Sequence, residues 1–207
     1  PAAFRDDVLS VAISQLTPRN GDESAERAQT PGQAALALLL ILRARVRLSN
    51  PEADPRAALD DFHRVAGLPE TELTEHQKQR ITLGTVQAQL ILGELKEAFD
   101  TTKTALRSEE NVEMPVTIDR LLEQFLAAGK RCAESAEPQR RDQAVEIAEH
   151  VSELFSGFIS EVQMSSVEQF QIDIRAMSPT AEAASSTPDG NDASSGDETS
   201  TTDQATS

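Results

Sequence analysis

The feature that most limits how this chain can fold is a short pattern that occurs three times. Ala58-Leu59-Asp60-Asp61-Phe62-His63-Arg64-Val65 is matched forty residues later by Ala98-Phe99-Asp100-Thr101-Thr102-Lys103-Thr104-Ala105. Forty-six residues further on comes Ala144-Val145-Glu146-Ile147-Ala148-Glu149-His150-Val151. Each copy opens with Ala, an apolar residue and then a third residue that is acidic, and keeps small or apolar types four and seven places after the Ala. Those positions share one side of an α-helix, so each copy is an amphipathic helix with the same kind of face. One helix cannot hide such a face alone, and its recurrence at a period near forty predicts stacked helical pairs.

The stretches between the copies read as helices too. Phe4, Val8, Leu9, Ala12 and Leu16 recur at helical spacing, and the polar run Thr17 to Gln29 reads as a connection. Thr30-Pro31 pairs a capping hydroxyl with Pro at the first helical position, opening an apolar helix to Leu48. Its apolar run is far short of the roughly 20 residues a bilayer needs, and Arg43, Arg45 and Arg47 follow directly, so a buried helix is expected and membrane insertion is not. Asp54-Pro55 repeats the cap-then-Pro signal and Gly67 marks a stop. Thr74 with Gln77 forms a capping box for a helix through Leu92, closed by Gly93, and Leu95 to Leu106 runs back. After a charged loop, Pro115 opens a helix to about Cys132, and Pro138 precedes the last copy, which ends near Gly157. One or two further helices are expected to about residue 175, with a short extended piece at Ile172–Ile174 as the other reading of their alternation.

The predicted organisation is an N-terminal helix and polar loop over residues 1–30, a helical repeat domain over 31–177 and a tail over 178–207. The tail holds thirteen Ser or Thr, six acids, no basic residue and no apolar residue larger than Ala. Such a segment buries too little surface to offset its ordering entropy, and disorder is expected. The whole chain carries a net charge of −16, and removing the six tail acids leaves −10 on the helical part. That excess argues against nucleic acid, where Lys and Arg supply the affinity, and against an anionic membrane surface. The single Cys132 excludes an internal disulfide and reads as a structural thiol. With no visible signal peptide it favours the cytoplasm while leaving the compartment open. The absent initiator Met suggests processing or a fragment, with the first helix as the remnant of an earlier repeat.

Gly93-x-Leu95-x-x-Ala98 with Ala105-Leu106, and Ala58, Phe62, Val65 and Pro69 one unit earlier, resemble the tetratricopeptide repeat over roughly residues 31 to 155. The family's Trp and Tyr are missing, and units of forty and forty-six exceed its thirty-four. The resemblance implies an all-α fold of stacked helical hairpins, a solenoid of about three pairs plus flanking helices. It also implies a concave groove lined by the first helix of each pair, in which Arg43, Arg47, Arg80 and Gln87 would receive an acidic or carboxylate-bearing peptide. The competing reading of Arg43 and Arg47 is that they pair with local acids.

Catalytic patterns are lacking. His63, His76 and His150 make no metal-ligand spacing, no glycines are spaced for a phosphate loop, and no nucleophile elbow occurs. Adjacent acids such as Asp60-Asp61 diverge by about 100° on a helix and do not converge on a substrate. The sequence therefore predicts a non-enzymatic scaffold that binds a protein or peptide and needs no cofactor. The alternative is a helical appendage or regulatory region of a larger enzyme truncated before residue 1.

Overall fold

The computed structural model describes residues 2–16, 30–68, 73–108 and 115–177. Among them are eight α-helices and no strand: α1 Ala2–Leu16, α2 Thr30–Leu48, α3 Pro55–Ala66, α4 Glu75–Leu92, α5 Leu95–Ser108, α6 Pro115–Ala133, α7 Pro138–Phe155 and α8 Glu161–Met177. The polar connection over 17–29, Pro69, the loop over 109–114 and the acidic tail lie outside the described residues. No described helix is long and apolar enough to cross a membrane.

Local chemistry sets the helix ends. The Asp54 carboxylate accepts from the Arg56 amide at 2.9 Å, fixing the start of α3 just before Pro55. At α4 the Thr74 hydroxyl accepts from the Gln77 amide at 3.3 Å, while Gln77 Oε1 accepts from the Thr74 amide at 2.8 Å. That reciprocal pair satisfies two backbone donors that a helix start leaves open. Gly93 ends α4 at φ 77°, a left-handed conformation that costs glycine nothing. Only Glu94 then intervenes before α5, so the chain reverses in two residues.

The three sequence copies lie on α3, α5 and α7, and Ala58, Ala98 and Ala144 are all fully buried. Extensive contact runs along the chain from α1 to α5 and from α6 to α8. It also skips one helix, joining α2 to α4, α4 to α6, α6 to α8 and α5 to α7. Among the described residues no extensive contact joins helices more than two apart. The core falls into two parts. One, on α1 to α4, holds Ile13, Leu40, Ile41, Phe62 and Val65; the other, on α4 to α8, holds Phe125, Ile147, Phe155 and Phe170.

With few aromatics, the buried Phe rings fill the largest spaces. Phe125 stacks on Phe99 at a centroid separation of 5.2 Å and meets Phe155 edge-on at 6.0 Å. Phe62 lies against Gly84 of α4, where a Cβ would run into its ring, and Phe170 of α8 lies in the same way against Gly129 of α6. Each glycine thus serves as the socket for a ring from a neighbouring helix.

The segment Ile172–Ile174 is helical, not extended. Two residues apart on a helix point about 200° apart. Ile174 is buried accordingly, and Ile172 faces solvent.

Candidate functional site

Alternate helices α2, α4 and α6 build a groove of about 650 Å³. On α4, Arg80, Leu83, Gly84, Gln87 and Leu90 line it at helical spacing, and on α6 Arg120, Glu123, Gln124, Ala127 and Arg131 do so. Arg45 reaches it from α2. Four arginines thus meet one glutamate in a chain whose net charge is −16. All four are exposed, and among the described residues none of them forms an ion pair. Unneutralised guanidinium groups around one concavity draw in anionic ligands. Their planar forks suit carboxylates. Gln124 also lines the groove, with its Oε1 buried and without a hydrogen-bond partner among the described residues. Next to Arg45 on the same face of α2, Leu38 and Leu42 are 42% and 36% exposed.

Of the four residues expected in a groove, Arg80 and Gln87 line this one. Arg43 and Arg47 do not; they turn to the opposite side of α2 and surround Asp61 of α3. Arg43 Nε donates to Asp61 Oδ2 at 2.8 Å, its Nη2 bonds Oδ1, and its Nη1 donates to Ser10 Oγ of α1 at 3.2 Å. Arg47 Nη1 donates to Asp61 Oδ2 at 3.0 Å and to the Ala57 carbonyl at 3.1 Å. Its Nε and Nη2 take both carboxylate oxygens of Asp6, at 3.0 and 3.3 Å. The Asp61 side chain is only 3% exposed. Its hydrogen bond raises the pKa of Arg43 above the ordinary arginine value; burial works against that rise, and the charges of Asp61 and Asp6 add to it. The cluster ties α1, α2 and α3 together.

The forty-residue period, measured on α3 and α5, aligns Arg43 and Arg47 with Leu83 and Gln87, which line the groove, but the two arginines follow the competing reading and pair with Asp61 and Asp6. Arg45, two residues from each of them, points about 200° away. Arg45, Arg120 and Arg131 were missed, although a signal for one existed: Arg120 follows Arg80 by one period of forty, and both line the groove.

His150 is exposed, its Nδ1 lies 2.9 Å from the Glu146 carbonyl, and its ring rests on Phe99 at 5.5 Å. Cys132 is buried in the second core. Among the described residues no three His, Cys, Asp or Glu side chains stand close enough to hold a metal ion. In comparisons with known proteins, no family model, no curated protein and no solved structure matches the chain.

Proposed function

We propose that this protein is a non-enzymatic binding module, a divergent helical repeat of tetratricopeptide type that holds an acidic, extended peptide segment in the groove across α2, α4 and α6. The observation that carries the reading is the set of four arginines, without an ion pair among the described residues, that line one concavity of an acidic chain. The buried alanines at the start of α3, α5 and α7 and the skip-one contacts of α2, α4, α6 and α8 support the stacked-repeat part. Groove recognition on such a scaffold works by shape and charge. Acids of the ligand meet Arg45, Arg80, Arg120 and Arg131, and a large apolar residue covers Leu38 or Leu42, adding area that charge alone does not give.

Fluorescence anisotropy tests this with a labelled decapeptide of alternating Glu and Leu against the full chain, with a Lys/Leu decapeptide as control. Binding of the acidic probe alone is expected, weakened at least tenfold by the double charge reversal R80E/R120E and by rising salt. Equal binding of both probes, or no loss on charge reversal, would overturn the reading.

A further inference from the structure

The acidic tail begins where α8 ends, and the direction of α8 decides what it can reach. Gln163, near the start of α8, donates to Asp119 near the start of α6 at 2.6 Å. Seven residues later along α8, Phe170 meets Gly129, ten residues along α6. Two contacts advancing together make α6 and α8 parallel, so the chain leaves Met177 at the end of α6 that carries Arg131. Adjacent helix axes lie about 8–10 Å apart, and the rise along each is about 1.5 Å per residue. These place Met177 roughly 15 Å from the backbone of Arg131. Arg131, two residues from Gly129, points away from α8, so the tail reaches it only by passing around α6, for which its thirty residues are long enough. Glu182, the first tail acid, is five residues past Met177. Asp189, Asp192, Asp197, Glu198 and Asp203 follow, with no Lys, Arg or His in the segment.

We propose that residues 178–207 occupy the groove of their own chain and act as a built-in competitor for the partner. The inference rests on the groove reading given above and names its regulation. Charge complementarity favours the pairing: a segment whose charged residues are all acidic belongs to the same chain as four groove arginines that form no ion pair within the described residues. Tethering supplies a local concentration in the millimolar range, enough for a weak electrostatic contact to be populated. The tail has no apolar residue larger than Ala, so it leaves Leu38 and Leu42 uncovered. A partner bringing both acids and a large apolar residue gains that surface and displaces it. Phosphorylation of tail Ser or Thr would add negative charge and tighten the closed form.

The test uses the full chain and a variant with every tail acid neutralised (E182Q, D189N, D192N, D197N, E198Q and D203N). Two fluorescein-labelled probes are titrated into each: the Glu/Leu decapeptide and a synthetic peptide of residues 178–207. Neutralising the tail is expected to tighten both probes about tenfold, the effect of removing a tethered competitor at about 1 mM effective concentration whose own contact has a dissociation constant of about 0.1 mM. R80E/R120E added to the neutralised chain is expected to abolish both gains. Equal affinities for the two chains, with clear binding of the decapeptide, would overturn the tail inference and leave the groove reading standing. Failure of either chain to bind either probe would overturn both. Sedimentation of the full chain from micromolar to submillimolar concentration separates the remaining case. Association that tail neutralisation abolishes would assign the tail to a neighbouring molecule's groove and overturn the intramolecular contact.

Discussion

Arg43, Arg45 and Arg47 sit within five residues of one helix and meet opposite fates. Arg43 and Arg47, one turn apart, close on Asp61 with Asp6 and Ser10 and lose most of their contact with water. Arg45, about 200° around the helix from Arg43, joins Arg80, Arg120 and Arg131 on a groove that offers them one glutamate. Burial obliges a charge to find a partner, because an unpaired buried ion costs several kcal/mol. Exposure removes that obligation, since water and salt solvate the charge, and leaves it free for a ligand. The first group therefore belongs to the fold and the second to recognition, and mutation distinguishes them.

The largest effect is expected at the buried centre. Asp61→Ala leaves two arginines facing each other without their shared carboxylate, and breaking a buried pair in this way costs about 3–5 kcal/mol. Urea denaturation followed by circular dichroism should show the midpoint falling accordingly, with α1 to α3 lost first in hydrogen exchange. A loss below about 1 kcal/mol would put the cluster among ordinary surface ion pairs and remove the distinction drawn above.

Second come the sockets between helices. Gly84→Ala drives a methyl group into the Phe62 ring, and Ala98→Leu overfills a fully buried site on α5; each is expected to cost about 1–3 kcal/mol. Gly84 also borders the groove. The double variant G84A/F62L separates its two roles: recovery of stability without recovery of acidic-peptide binding shows that groove shape, not fold strength, was lost. An unchanged melting temperature for Ala98→Leu would mean that α5 does not use this alanine to approach its neighbours.

The helix ends and the packing faces of α3, α5 and α7 were legible because their causes are local, whereas on α1 the expected stripe leaves Val8 and Leu16 exposed and buries Ile13 instead. Asp54-Pro55, Thr74 with Gln77, and Gly93 each fix a backbone conformation within four residues, and the alanines of α3, α5 and α7 announce a face by spacing alone. The groove was legible only in part. Arg80 and Gln87 line the concavity and Arg43 and Arg47 do not, because which side of α2 faces α4 is a relation between distant segments. Charge type gave no help, since Arg43, Arg45 and Arg47 are identical in kind and differ only in angle. Ile172 and Ile174 left two readings open, since a two-residue alternation suits a strand but also arises on a helix that buries only one of the pair, and the helical reading is the one that holds.

The smallest effect on stability, and the sharpest test of the contrast, is expected from Arg80→Gln with Arg120→Gln. Both side chains are exposed and make no ion pair among the described residues, so their removal breaks nothing in the fold. The change in unfolding free energy should stay within about 0.5 kcal/mol. Its sign should be mildly stabilising at low salt, because four positive charges around one groove repel one another and two fewer relieve that repulsion. Raising ionic strength should erase the gain, since a Debye length of about 8–10 Å at 0.1–0.15 M screens exposed charges at these separations. The same salt should leave the cost of Asp61→Ala nearly unchanged, its charges being shielded from solvent by the helices themselves. A salt-insensitive loss of 2 kcal/mol or more in the glutamine double variant would mean that the groove arginines hold the helices together, and the division between structural and receptive arginines would fail.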